Sequence, residues 1–217
     1  MNAALEINSL NVAIDRIPIL RNVSLQVPAG KMVGLIGRNG AGKTTLMRAI
    51  MGLMPVQAER LVCAGQDLQQ LKPFQLARRG ISYMPEDRRL IPALTVEENI
   101  LLPAWANGIH EAQKRLNWIY GLMPEVSAFR TRRALQLSGG QQKLVALARA
   151  LMPGHNLLLL DEPFEGVAPV LSRRLTEVIA NLRQGGLSVI LSESDDTHSA
   201  GLVDHVYHIE RGVVTAR

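Results

Sequence analysis

The sequence predicts an α/β protein built on a parallel sheet, and three observations carry that prediction. Short apolar runs alternate with segments of helical period. The run Leu157–Leu160 is four leucines with no polar face. Met32–Ile36 is a compact apolar run that stops at glycines, and a helical pattern begins after Lys43. Strands alternating with helices are what a parallel sheet with crossover helices requires. A strand apolar on both faces is one covered on both sides.

Taken in order, Leu5–Leu10 and Val23–Val27 read as short strands separated by turn chemistry around Asp15 to Pro18. Met32–Ile36 and the helix after Lys43 form a strand–loop–helix unit. From about Val96 to Met152 the pattern is mostly helical, which predicts an inserted lobe. After the strand at Leu157–Leu160, the segment Val170–Leu182 sets Leu171, Leu175, Val178, Ile179 and Leu182 on one helical face, closed by Gly185-Gly186. Leu187–Leu191 follows as a strand, and Val206–Ile209 with Val213-Val214 flank Arg211-Gly212 as a terminal hairpin. One domain over residues 1–217 is expected, with 1–95 and 153–217 as its core and 96–152 as the lobe.

With 217 residues, 47% hydrophobic and 20% charged, the chain can bury a sizeable core, which excludes a disordered tail or a fibre. A single cysteine, Cys63, supplies neither an internal disulfide nor a zinc cluster. No apolar run reaches the roughly 18 residues of a membrane span. The start, MNAALEINSL, has no basic flank before an apolar stretch, so a reducing, cytoplasmic home is expected. The net charge of +5 suits an anionic partner. Aromatics are only 4%, however, and the basic residues gather no further than pairs such as Arg78-Arg79, Arg88-Arg89 and Arg132-Arg133. Such pairs read as solvated helix faces, and no nucleic-acid partner is expected.

The chemistry begins at Gly37-Arg38-Asn39-Gly40-Ala41-Gly42-Lys43-Thr44, a match to the phosphate-loop pattern G-x-x-x-x-G-K-[ST]. Its glycines let successive N–H groups face one anion, and the helix that opens there adds its positive end. Lys43 is placed for the β- and γ-phosphates, and Thr44 for Mg²⁺. A carboxylate at a strand end should complete the site, and Leu157–Leu160 runs directly into Asp161-Glu162. Asp161 is the candidate to hold Mg²⁺ through water, and Glu162 the general base that polarises the attacking water. Leu137-Ser138-Gly139-Gly140-Gln141-Gln142 then opens a helical run, a second anion site. One nucleotide on one chain does not need that second site. Two chains that sandwich ATP do, each giving its phosphate loop to one side and its serine–glycine turn to the other.

With these motifs in this order, the chain resembles the ATP-binding cassette ATPases from about Leu5 to Val214, and more narrowly the shorter ATPase of branched-chain amino acid importers. GRNGAGKTTLMRAIMGL, YMPEDRRLIPALTVEENI, LSGGQQKLVALARALM and LLLLDEPFEGVAP carry the resemblance. It implies a P-loop NTPase core with an N-terminal antiparallel β subdomain and an inserted helical lobe. It further implies that Gly37 to Thr45 grip the phosphates of ATP, with Mg²⁺ held by Thr44, Asp161 and Glu86. Glu86 stands where the superfamily usually has the Q-loop glutamine. Ser138, Gly139, Gly140 and Gln141 would reach the partner's γ-phosphate, and Phe164 to Pro169 would form the D-loop. The implied partners are a second cassette ATPase, a multispanning permease and an extracytoplasmic solute-binding protein, with this chain at the cytoplasmic face of the membrane. A short helix of the permease would dock beside Leu90, Ile91, Val96, Asn99, Leu101 and Trp105.

Two positions depart from the family pattern. Ile14 stands where an aromatic normally stacks on adenine, an interaction worth roughly 1–3 kcal/mol, so weaker and less base-selective binding is expected. Ser194 stands where the switch histidine is expected. Loss of a donor to a developing oxyanion costs about 10²–10³ in rate, so turnover should be slow. His198, four residues later, reads as a surface histidine on a helix capped by Asp195 or Asp196. A cassette acting as an ATP-dependent switch beside an active paralogue, or a soluble cassette working on nucleic acid or ribosomes, are the alternatives.

Overall fold

The computed structural model describes residues 3–216. In chain order, β1 (Ala3–Ile14), β2 (Ile17–Pro28), β3 (Met32–Ile36), α1 (Lys43–Ile50), β4 (Arg60–Cys63) and β5 (Gln66–Asp67) form the first part. Next come α2 (Pro73–Arg78), β6 (Ile81–Met84), α3 (Val96–Asn107), α4 (Ala112–Leu122), α5 (Pro124–Ala128), a 3₁₀ turn at Ala134–Gln136 and α6 (Gly139–Leu151). β7 (Leu157–Asp161), α7 (Pro169–Gln184), β8 (Ser188–Glu193), β9 (His205–Glu210) and β10 (Val213–Ala216) close the chain.

The strands make two sheets. A four-stranded antiparallel sheet runs β2-β1-β4-β5, and a six-stranded sheet runs β10-β9-β3-β8-β7-β6. Within the larger sheet β9, β3, β8, β7 and β6 pair in parallel, and β10 is antiparallel to β9. Where the sequence suggests two short strands near the N-terminus, the structure has one long hairpin. Asp15 and Arg16 form its tip with φ of 48° and 67°, the left-handed pair that matches the twist of a two-residue hairpin. Register shifts along β1 and β2 interrupt the apolar alternation and hide the hairpin's true length.

The four leucines of β7 show why its run is continuous. Leu157 and Leu159 face one core, with β1, β2, α1 and α2. Leu158 and Leu160 face the other, with α3, α4, α6 and α7. Side chains that alternate between two dry faces must all be apolar. The helices between residues 96 and 151 therefore do not close a core of their own. Ile100, Leu116 and Leu147 join the same cluster as Leu158, Val178 and Leu191.

Candidate nucleotide site

Three parallel strands end at one edge and deliver the site. β3 turns into the loop at Gly37, β7 delivers Asp161 and Glu162, and β8 leads to Ser194, in adjacent registers. The loop from Gly37 leads to α1, whose N-cap is Gly42 at φ 115°. No side chain caps α1 and its first turn holds no acid, so its free N–H groups and positive end remain for an anion. Gly37 is needed for a close approach, since a Cβ there would run into the carbonyl of Ile209 on β9.

Lys43 is 5% exposed and folds back over the loop. Its Nζ donates to the carbonyls of Gly37 and Arg38 and lies 2.9 Å from Oε1 of Glu162. Glu162 sits in the left-handed region, φ 48°, and is 4% exposed. Its N–H donates to the carbonyl and the Oγ of Ser192, both at 3.2 Å. Asp161 is fully buried, its Oδ1 accepting from Ser192 at 2.7 Å and its Oδ2 from the Tyr83 hydroxyl at 2.8 Å. Burial first, and then the charge of Asp161, push the Tyr83 hydroxyl well above its usual range.

A cavity of about 310 Å³ gathers Lys43, Thr44, Thr45, Glu86 and Glu162 with Asn39, Gly40 and Gly42. Partial desolvation, then the carboxyl groups of Glu165, Asp161 and Glu162, hold the Glu86 carboxyl above the ordinary range. The loop's other side, Gly37 to Ala41, faces a second cavity of about 490 Å³ that Ser194 also lines. Ser194 Oγ lies 3.0 Å from Glu162 Oε1 and 2.8 Å from Asn39 Oδ1. A hydroxyl carries one proton, so it donates to the carboxylate while the Asn39 amide, turned over, donates to it.

Other sequence-predicted residues stand further away. Ile14 lies at the hairpin tip and does not line the phosphate cavity; Ile19, on the returning strand, does. Ser138, Gly139, Gly140 and Gln141 line neither cavity beside the loop. Ser138 caps α6, accepting from the Gln141 N–H at 3.3 Å, and the Gln141 side chain returns to the Ser138 N–H at 3.0 Å. The N–H groups of Gly139 and Gly140 lie in that first turn, where a helix supplies no acceptor of its own.

Two expectations are corrected. Val96 and Asn99 are fully buried and present nothing to a docking helix. Asn99 instead ties down the approach to α3: its Oδ1 accepts from Ile91 N–H, and its Nδ2 donates to the carbonyls of Ile91, Leu94 and Thr95. No helix follows Ser194 either; Asp195 accepts from the Thr197 N–H at 2.9 Å and makes a turn. His198 packs against Phe164 and bonds Ser172 at 3.1 Å, lining neither phosphate-loop cavity.

Sequence reasoning missed Lys143, Tyr83, Ser192, Glu193 and Ile19. Lys143 left a trace, because it shares a helical face with Leu147, Ala150 and Leu151, where a lysine is out of place.

The oxygen donors of Thr44 and Glu86, with Asp161 behind them, are the hard, charge-rich set that Mg²⁺ takes beside phosphate and water. Both Asp161 oxygens are already bonded, which fits a role through water.

The ABC transporter family pattern matches residues 20–165. Over 96% of this chain and 89% of the relative, the sequence is 34% identical to the high-affinity branched-chain amino acid transport ATP-binding protein BraG of Pseudomonas aeruginosa. It is 32% identical to the lipopolysaccharide export system ATP-binding protein LptB of Escherichia coli, over 91% of this chain and 83% of that one. Among solved structures, an ATP-binding subunit of an ABC transporter superposes with TM-score 0.87 at 28% identity, covering 99% and 89% of the two chains. An ATP-binding cassette in its ADP conformation gives TM-score 0.83 at 26% identity, covering 99% and 90%.

Proposed function

The chain belongs to the ABC transporter family as an ATP-binding, ATP-hydrolysing subunit, and from that premise we propose that it drives import of branched-chain or related amino acids. The 34% identity to BraG along nearly the whole chain supports the solute class. The likeness to LptB, which serves export, leaves direction and solute to be tested.

The observation that carries the hydrolytic role is the buried Glu162 carboxylate 2.9 Å from Lys43 in the phosphate-loop cavity. Incoming phosphate oxygens compete with Glu162 for the Lys43 ammonium. As Lys43 turns to the β- and γ-phosphates, Glu162 is freed to accept a proton from the attacking water. Thr44, Glu86 and, through water, Asp161 would hold Mg²⁺, which neutralises the charge developing on the phosphates when bound. Ser194 keeps the Glu162 carboxylate oriented by its hydroxyl and supplies a neutral, short donor where a histidine would carry charge. The serine–glycine turn of α6 lines neither phosphate-loop cavity of its own chain, which supports its use on the nucleotide of a second cassette, identical or paralogous. Ile14 and Ser194 together favour a slower, switch-like cassette as the second reading.

Among the described residues, no helix is long and apolar enough to cross a membrane. On this reading a separate permease forms the pore, a solute-binding protein delivers the solute, and the subunit sits at the cytoplasmic face. The cavity of about 650 Å³ lined by Arg78, Lys114 and Trp118 includes none of the residues expected at the permease contact, so docking beside the Q-loop rests on exposed side chains. Ile91 and Trp105 are exposed.

The test is a tagged pull-down from detergent-solubilised native membranes with partners identified by mass. Recovery of a multispanning permease and a cassette ATPase is expected. Recovery of ribosomal or DNA-bound proteins instead contradicts the transporter role.

A further inference from the structure

Lys143 lies in the second turn of α6, five residues beyond Ser138, and is 2% exposed. Taking an ammonium out of water is expensive, and a buried cation ordinarily has a carboxylate at ion-pair distance. Among the described residues Lys143 has no such pair. Its Nζ donates instead to two main-chain carbonyls, that of Glu162 at 2.8 Å and that of Glu165.

Those carbonyls bracket the loop that leaves β7, and the loop starts with the left-handed Glu162. The opposite side of the same loop is held by β8. Ser192 takes the Glu162 N–H, and next to it the Glu193 carboxyl is buried, 5% exposed. Burial, and then the charge of Arg88, work against the Lys143 ammonium, and Glu165 and Glu86 attract it. Lys143 thus stands where α6, the Glu162 loop and the Glu86 loop meet. A methionine would fill the same volume without the desolvation cost, so stability alone does not account for a charge here. What the charge adds is a fixed position for two carbonyls.

We propose that Lys143 is a positioning residue for hydrolysis: through the carbonyls of Glu162 and Glu165 it sets where the Glu162 carboxylate stands. The first turn of α6 carries Ser138, Gly139 and Gly140. A displacement of that turn is passed by Lys143 to the general base of the same chain. This rests on the reading of Glu162 as general base. It links the turn that meets one nucleotide to the carboxylate that acts on the other.

The experiment compares the purified full chain with Lys143→Met and Lys143→Arg, measuring steady-state Mg·ATP hydrolysis and the Kd for Mg·ADP. Lys143→Met is expected to lower kcat by about tenfold or more, because small displacements of a catalytic group are costly. The Kd for Mg·ADP should stay within about twofold, since Lys43 and the phosphate loop are untouched. Lys143→Arg, which keeps charge and donors, should restore at least about a third of kcat. A Lys143→Met protein with the parent's kcat, or one losing ADP binding in step with kcat, overturns the proposal. Should Lys143→Met fail to fold, Lys143→Gln against Lys143→Arg decides by the same split. A parent that binds ADP and hydrolyses no ATP overturns the Glu162 reading itself, which separates the two failures.

Discussion

Ser194 occupies a place next to Glu162 where reach and charge both matter. Its hydroxyl touches the carboxylate at 3.0 Å and the Asn39 amide at 2.8 Å, and a longer imidazole there would extend past them toward the phosphates. Ser194→His should raise the steady-state hydrolysis rate by about tenfold or more, within the range that one added oxyanion donor supplies; an unchanged rate would show that Ser194 is not the switch position. Its neighbour Glu193 is 5% exposed, and its carboxyl is pushed from 4.5 up to about 8. Burial is the main cause, and the charges of Glu162 and Asp195 add to it against Lys143 and the Phe164 N–H. Between those two values the folded chain keeps a proton that the unfolded chain has lost. The folded state therefore binds more protons, and stability falls as pH rises through that window, by at most about 1.4 kcal/mol per pH unit. Glu193→Gln removes this contribution, so its melting temperature should fall less between pH 5 and 8 than the parent's. Parallel melting curves would contradict the raised carboxyl. Lys43, Thr44, Asp161 and Glu162 were legible in the sequence because each belongs to a short contiguous motif. Tyr83, Ser192, Glu193 and Lys143 were not, because their roles exist only where β6, β8 and α6 are brought against β7.

At the scale of elements, the start of α3 carries a cap that the sequence reading did not name. Thr95 and Glu98 form a reciprocal cap on α3: Thr95 Oγ1 accepts from the Glu98 N–H at 3.2 Å, and Glu98 Oε2 accepts from the Thr95 N–H at 2.7 Å. Thr95→Ala should cost about 1 kcal/mol and lower the melting temperature by about 2–4 °C. ADP affinity should stay unchanged, because the cap lies outside the phosphate cavity; a weaker Kd would mean that α3 reports to the site. β4, β5, β6 and α2, of two to six residues, were too short to show a period. The N-terminal hairpin was underestimated for another reason. Asn22 takes a left-handed φ of 50° inside β2, and the pattern alone began that strand only after it, at Val23.

For the whole molecule, the parallel sheet separates two cores, and the site lies at the edge where β3, β7 and β8 end. Ligands in open parallel sheets gather outside the carboxyl ends of strands, because glycine loops and helix N-termini converge there. The helical segment between residues 96 and 151 shares its core with α7 and the sheet, which makes α6 a mechanical neighbour of Glu162 and not a detached arm. Its serine–glycine turn remains outside the chain's own phosphate cavity, as two chains sharing nucleotides require. The central claim is that this sheet edge hydrolyses ATP with Glu162 as the base. The most direct measurement is phosphate release from Mg·ATP by the purified chain and by Glu162→Gln, with ATP binding measured on both. The parent should turn over slowly and Glu162→Gln at least about 10²-fold more slowly, with ATP still bound. Equal rates in the two proteins, or a parent that binds ATP and releases no phosphate, would contradict it.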